Sequence, residues 1–208
     1  MIRVLGRQTS GNVQKVLFLL EELGLKYTRE DYGRQFNNTN TDAYRKLNPN
    51  MKVPTVIDGD VVIWESHTVL RYLTTLYQPA LLGAAPAERT YVERWMDWLL
   101  ASLNTPYVAV FKDAKKPRAE RGADFPAQSA DLVAQLKILD GHLAAKSWFA
   151  LDRLTLADIA LGPIVARCLD FPIERPAFAD LTRWMAVVKS RPAFAVATGA
   201  KPSALNAA

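Results

Sequence analysis

The stretch that most constrains this chain runs from Asn48 to Leu73, NPNMKVPTVIDGDVVIWESHTVLRYL. It reads as an extended approach to a Val53-Pro54 bond, a strand from Pro54 to Ile57, a turn at Asp58-Gly59, a second strand from Val61 to Trp64, and then a helix. Asp-Gly between two β-branched runs is a strong hairpin signal, because glycine accepts the positive φ of a primed turn. Ser66 stands where an N-cap belongs, and Val69, Leu73, Leu76 and Tyr77 follow at helical spacing. A helix therefore starts directly after a strand, and its free N–H groups, the Ser66 hydroxyl and the Glu65 carboxylate come together. Such a set suits a ligand that carries both a carboxylate and an ammonium, as the head of an amino acid does. The proline leaves the N–H and C=O of Val53 open to something other than a neighbouring strand. A cis bond would aim them sideways, where an extended peptide could pair. Taken singly, Pro54 could open an edge strand, Ser66 could be a plain cap and Glu65 a solvated charge.

Upstream, Ile2 to Leu5 is a short apolar strand and Gly6 to Ser10 a loop. Val13, Val16, Leu17 and Leu20 mark one face of a helix that stops at Gly24, and Tyr27 to Tyr32 forms a second strand. A right-handed crossover makes those two strands parallel. Gly33 to Asn40 is a polar loop, and Thr41 or Asp42 caps a short helix ending near Leu47. With the hairpin and its helix, residues 1–78 read βαβαββα, a thioredoxin-like order. Residues 79–86, with Pro79, Gly83 and Pro86, form a linker.

From 87 to 208 the texture is all-helical. Arg89 to Ala109 is expected as one long helix with two apolar stripes, Val92-Met96-Leu99-Leu103 and Trp95-Trp98-Ser102, and Pro106 is expected to kink or end it. Two stripes call for two covering surfaces, its own bundle and either the first domain or a second subunit. Leu132, Leu136, Leu139 and Leu143 define the next helix. Thr155-Leu-Ala-Asp158 resembles a capping box opening Leu156 to Leu169, a helix apolar nearly all round that belongs at the centre of a bundle. Ala177 to Lys189 gives another helix, Arg191-Pro192 a break, and Gly199 to Ala208 a loose tail.

The segment from Asn48 to Leu73 resembles the glutathione-site segment of the cytosolic glutathione transferases, in its Val-Pro pair, its hairpin and its Glu-Ser pair opening a helix. The Thr-Leu-Ala-Asp element resembles that family as well, so the likeness spans both domains. It implies an α/β thioredoxin-like N-terminal domain (βαβαββα) followed by an all-α C-terminal helical bundle domain. It implies glutathione as co-substrate, with its cysteinyl backbone on Val53 just before a cis Pro54, its γ-glutamyl end on Glu65 and Ser66, and its glycyl carboxylate near Lys52.

The sulfur would then meet Gln8-Thr9-Ser10-Gly11-Asn12, where the first strand ends and the first helix starts. A hydroxyl at a helix N-terminus can donate to a thiolate, and the helix dipole favours the same charge. Ser10 aligns with the catalytic serine of Ser-type, theta-like members, and Ser-Gly-Asn-Val-Gln-Lys-Val resembles bacterial ones. Thr9 is the rival donor and Asn12 a third. All three could instead cap the helix. Theta- and delta-like members carry Pro-Cys-Arg after the serine, where this chain has Asn12-Val13-Gln14. Neither Tyr nor Cys stands here, which argues against the Tyr-type and Cys-type mechanisms. Leu103, Tyr107 and Phe111, at helical spacing near the expected kink, are candidates for an apolar electrophile pocket; they could equally be core.

Composition excludes other classes. Half of the residues are apolar, so the chain is globular. The net charge of +5 is spread out, and its one cluster, Lys112 to Arg121, also holds Asp113 and Glu120 and lacks a nucleic-acid motif. A single cysteine, Cys168, rules out an internal disulfide and fits a reducing compartment and an inert core position. His67 is expected at a surface or dimer contact and His142 on a helix face, and no spacing suggests a metal site. No apolar run has the length of a membrane span, so the expected location is cytoplasmic. The expected enzyme is a glutathione transferase that activates the thiol for attack on a small electrophile, works as a homodimer, and uses neither metal, membrane nor nucleic acid. A glutathione-dependent peroxidase, reductase or dehalogenase on the same fold, and a non-catalytic binding protein, are the alternatives.

Overall fold

Strand β1 (Ile2–Leu5) buries Ile2, Val4 and Leu5 and turns Arg3 outward, so it lies inside a sheet with one exposed position. It pairs in parallel with β2 (Tyr27–Glu30) across the connecting helix α1 (Gly11–Glu22), as a right-handed crossover requires. On its other side it pairs antiparallel with β3 (Thr55–Asp58), which forms a hairpin with β4 (Val61–Trp64). The sheet order is β2-β1-β3-β4. In the hairpin Asp58 pairs with Val61, which leaves Gly59-Asp60 as the two-residue loop, one position later than the expected Asp58-Gly59. Gly59, at φ 59°, supplies the positive φ that such a loop demands.

The computed structural model describes residues 1–205. They fall into two units: Met1–Leu81 joined by the described residues from Lys189 onward, and Leu82–Val188. The first unit adds to the sheet α2 (Asp42–Leu47) and α3 (Ser66–Tyr77). Thr41 caps α2 by accepting from the Tyr44 N–H at 3.1 Å. Helix α9 (Pro192–Ala197) also belongs here, packed on α1 with Phe194 edge-on to Phe18. The last stretch of chain thus returns to the sheet, whereas the sequence placed all of 87–208 in the helical domain. The expected loose tail from Gly199 is tied as far as Ser203, which donates to Glu21; Asn206 to Ala208 lie outside the described residues.

The second unit is all-helical. Helix α4 (Pro86–Trp98) runs through a π turn at Leu99–Leu103 into α5 (Asn104–Asp113). Pro106 therefore neither ends the helix nor sits in a regular α ladder. It lacks an N–H to give the preceding turn, and just before it the chain widens, with the Asn104 N–H bonded to the Leu99 carbonyl. The Val92, Met96, Leu99 and Leu103 stripe is fully buried. The second stripe is partly spent within the same unit, because Trp95 packs against the rings of His142 and Phe149. Helices α6 (Phe125–His142), α7 (Leu156–Asp170) and α8 (Ala179–Lys189) complete the bundle.

Helix α7 is buried along nearly its whole length, and its first turn is fixed by Asp158. This carboxylate accepts from the Thr155 N–H at 3.0 Å, the Thr155 hydroxyl at 2.9 Å, the Phe149 N–H at 3.1 Å and the Trp184 indole N–H at 2.9 Å. Complete burial pushes its carboxyl up to about 6, and the four donors resist that rise, so it is ionised at neutral pH. Cys168, on the same helix, is fully buried, and burial pushes its thiol far above the range where a thiolate forms.

Asp158→Ala strands four buried donors and should cost about 3 kcal/mol or more in urea unfolding, with Asp158→Asn costing less. An unchanged midpoint for the alanine variant would remove the Asp158 hub as a determinant of the bundle. In the first unit, a Cβ on Gly6 would lie 2.5 Å from Cγ2 of fully buried Val13, so Gly6→Ala should destabilise by about 1–3 kcal/mol. Gly141→Ala, on α6 with no atom within 4 Å of the added methyl, should instead stabilise by about 0.5 kcal/mol in the same assay.

Candidate active site

Val53 lies just before the β3 ladder, whose first pairs are Leu5 with Thr55 and Thr55 with Trp64. Neither its N–H nor its C=O is paired with another strand, and the Val53-Pro54 bond is cis, as the sequence suggested. Its surroundings are built from groups that sequence reasoning did not single out. Tyr44, almost fully buried on α2, donates its hydroxyl to the Lys52 carbonyl at 2.9 Å and bonds the Thr55 hydroxyl at 2.9 Å. Asn48 donates its amide to the Lys52 carbonyl at 2.8 Å and to the Thr55 hydroxyl at 3.1 Å, and its Oδ1 accepts from the Asn50 N–H at 2.9 Å. The corner is thus gripped on both sides of Val53 by buried polar groups whose bonds are all made internally. Burial raises the Tyr44 phenol above its ordinary range, which keeps it a neutral donor.

Two glycines let the backbone close on Val53. A Cβ on Gly6 would come to 3.4 Å from the Val53 Cβ, besides its clash with Val13. A Cβ on Gly33 would lie 2.8 Å from an Arg7 guanidinium nitrogen and 3.4 Å from Val53 Cγ1. The end of β1, the start of α1 and the Val53 corner therefore meet, as the thioredoxin-like order implied. The signal for the glycines was present in the sequence as Gly6 after a strand, but a loop glycine there reads first as flexibility.

Ser10 occupies the N-cap position of α1 with extended backbone (φ −83°, ψ 124°), yet its hydroxyl makes no capping bond. Its own N–H bonds the Arg7 carbonyl and its carbonyl accepts from Gln14, so the main chain alone starts the helix. The side chain is mostly buried but bonds no other described residue, which separates it from the capping alternative. Thr9 is exposed, and Asn12, in the first turn of α1, is exposed as well.

At the β4–α3 junction the N-cap is Glu65, not Ser66, and Ser66 is the first helical residue. No loop separates strand from helix, so one residue must turn the chain; Glu65 does so at φ 65°, a conformation that costs a non-glycine residue about 1–2 kcal/mol. Its side chain caps nothing and instead accepts from the Asn50 amide at 3.1 Å. Ser66 is buried beside the unpaired N–H groups of the first turn of α3. Lys52 is exposed.

The histidines differ from expectation. His67 is buried, not at a surface, and its Nε2 lies 3.1 Å from Nζ of fully buried Lys15. Burial, then the charges of Lys15 and Arg71, hold its ring neutral far below the usual histidine range, so it accepts from the ammonium. His142 donates to the Phe149 carbonyl at 2.9 Å and stacks on that residue's ring. Of the pocket candidates in the helical unit, Leu103 is fully buried and offers no surface to a ligand. Tyr107 and Phe111 join Phe171 in an aromatic cluster, with Arg167 beside them. Among the described residues no group of three or more His, Cys, Asp or Glu could hold a metal, and no helix is long and apolar enough to cross a membrane.

Two family models match the chain: the glutathione S-transferase N-terminal domain over residues 9–76 and the glutathione S-transferase C-terminal domain over residues 103–192. Glutathione S-transferase GstB of Escherichia coli K12 is 34% identical over 198 residues, covering 93% of this chain and 95% of its own. Glutathione S-transferase 3 of Schizosaccharomyces pombe is 30% identical over 88% of this chain and 81% of its own. Among solved structures, the theta class glutathione S-transferase of Xanthomonas axonopodis pv. citri with glutathione bound superposes with a TM-score of 0.90 at 38% identity, covering 98% of each chain. With matches that run through both units and a relative 34% identical over 93% of this chain, the chain belongs to the cytosolic glutathione S-transferase family.

Proposed function

We propose that this protein is a glutathione transferase that binds glutathione along the Val53 corner and converts its thiol to a thiolate at Ser10. The cysteinyl N–H and C=O pair with the C=O and N–H of Val53 as a short antiparallel ladder. The γ-glutamyl carboxylate takes the Ser66 hydroxyl and the free N–H groups of α3, its ammonium takes Glu65, and the glycyl carboxylate takes Lys52. The sulfur then lies at the start of α1, where the helix dipole and the Ser10 hydroxyl both favour the anion. A free thiol with a pKa near 8.5 is only a few per cent ionised at neutral pH, and lowering it by about two units makes the thiolate the main species. The thiolate attacks an electrophilic carbon, forming a C–S bond as the leaving group departs with its electron pair or as the π electrons of an activated double bond shift. Thiolate concentration and fixed approach supply the rate. Tyr107 and Phe111 are the residues assigned to the electrophile's apolar surface.

The observation that carries this reading is the Ser10 hydroxyl: it stands at the N-terminus of a twelve-residue helix, after a loop whose Gly6 closes on Val53, and is not spent on capping. A homodimer is proposed on the exposed Val61, Val62 and Trp64 of edge strand β4 and on Leu76 and Tyr77 of α3, an apolar set that a second copy would cover. A cytoplasmic setting fits the single buried thiol.

Ultraviolet absorbance of bound glutathione tests the assignment. Wild type should show thiolate at neutral pH, and Ser10→Ala should raise the thiol's titration midpoint by a unit or more while affinity changes little, the loss of one hydrogen bond to a charged group. Thr9→Ala should move it less. If Thr9→Ala abolishes the signal and Ser10→Ala does not, Thr9 is the donor. If wild type binds glutathione without forming thiolate, the protein is a binding protein on this fold.

A further inference from the structure

The residue before the Thr9-Ser10 pair is Gln8, and its side chain does not point to the solvent that surrounds this loop. Its Nε2 donates to two carbonyls at once, those of Val196 at 2.8 Å and Ala197 at 3.2 Å. These belong to the last residues of α9, where carbonyls run out of partners within the helix; that of Val196 also accepts from the Gly199 N–H just past the helix, at 3.0 Å. The tail then wraps the same side chain: at Gly199, φ 83°, a Cβ would lie 3.4 Å from Gln8 Cγ, so the turn past the helix passes close over the glutamine stem.

The rest of α9 is fastened along α1 in order. Arg191 makes a two-pronged ion pair with Glu22 at the far end of α1, at 2.5 and 2.6 Å, with both groups mostly buried. Phe194 meets Phe18 edge-on at a ring separation of 5.4 Å. Val196 and Ala197 meet Gln8 just before α1 begins. The contacts advance along α9 as they retreat along α1, so α9 is an antiparallel splint whose final attachment is on the loop that carries Ser10. The other end of that loop is fixed by main-chain bonds, Gly6 N–H to the Glu30 carbonyl and Arg7 N–H to the Tyr32 carbonyl. Ser10 stands two residues beyond Gln8, where α1 starts, and its side chain has no bond to another described residue to hold it.

We infer that Gln8 is a positioning residue: by tying the β1–α1 loop to the carbonyl end of α9, it sets the place of the Ser10 hydroxyl, and the C-terminal segment thereby governs thiolate formation. This rests on the assignment of Ser10 to the sulfur. Gln8 touches neither thiol nor electrophile in this scheme. Its loss frees the loop without removing the Val53 corner or the Ser66 end, so thiol activation and turnover change while glutathione affinity stays.

The experiment is the ultraviolet thiol titration of bound glutathione, read beside calorimetric affinity and turnover of an activated aromatic halide, for wild type, Gln8→Ala and Ser10→Ala. Gln8→Ala should raise the thiol midpoint toward that of Ser10→Ala and lower kcat by roughly tenfold, since small misplacements of reacting groups carry costs of that order, with affinity for glutathione within about twofold. A merely structural glutamine would lower the unfolding midpoint and leave the thiol midpoint at the wild-type value, and that result overturns the inference. If Ser10→Ala shifts the thiol and Gln8→Ala does not, the positioning role alone falls. If Ser10→Ala leaves the thiol unmoved, the assignment of Ser10 and the inference built on it fall together. Should Gln8→Ala not fold, Gly199→Ala, which pushes a methyl toward the glutamine stem, reads the same quantity, and an unshifted thiol midpoint there likewise overturns the role.

Discussion

Everything proposed for the first unit depends on a main-chain edge that is held open. An unpaired N–H and C=O next to a sheet would ordinarily collapse onto a neighbour or fray into water. At Val53 neither happens, because Tyr44 and Asn48 take the carbonyl of Lys52 on one side and the hydroxyl of Thr55 on the other. With both flanks fixed by buried bonds, the residue between them presents its own polar pair in a constant direction. Gly6 and Gly33 remove the side chains that would otherwise fill the space against it. In the proposed scheme the stretch from Tyr44 to Thr55 is a receptor edge made before any ligand arrives, which spares binding the entropy of ordering it.

The two halves of the proposed site rely on helix starts in different ways. At α1 the main chain begins the helix without help from Ser10, which leaves the hydroxyl for a ligand. At α3 the strand passes into the helix through a single residue, Glu65, which turns the chain at positive φ and leaves the first-turn N–H groups without a side-chain cap. Strain of about 1–2 kcal/mol at Glu65 is small beside what a bound carboxylate can return through several charge-assisted bonds. The second unit uses the opposite arrangement. There the four-donor hub at Asp158 is closed on all sides, so it holds α7, α8 and the turn at Phe149 together and has nothing to offer a ligand.

Much of this could be read from the chain itself. The hairpin, the helix after it, the parallel β1–β2 pair and the Thr155-Asp158 box are all local patterns in which residue type and spacing dictate the backbone, and they stand where the sequence put them, with the hairpin loop one residue later. What escaped is what depends on residues far apart in sequence. Tyr44 lies within the short helix that the sequence ends near Leu47, and only folding brings its hydroxyl to Lys52 and Thr55. His67, expected at a surface or dimer contact, is buried against Lys15, 52 positions away in the chain. The π turn before Pro106 and the return of α9 to the sheet have no local signature, because a proline rule says only that the α ladder fails, not how the chain absorbs the failure. Leu103 illustrates the remaining ambiguity: helical spacing reports which face is apolar, and does not tell core from pocket.

The central claim is that glutathione pairs with the main chain at Val53, and amide nuclear magnetic resonance addresses it directly. On titration with glutathione or with S-methylglutathione, the Val53 N–H should move downfield and become protected from hydrogen exchange, together with the first-turn amides of α3 at Ser66 and His67. The thioether should give the same response as the thiol, because the edge binds peptide and not sulfur. Saturating glutathione that leaves the Val53 amide unshifted and freely exchanging would contradict the account.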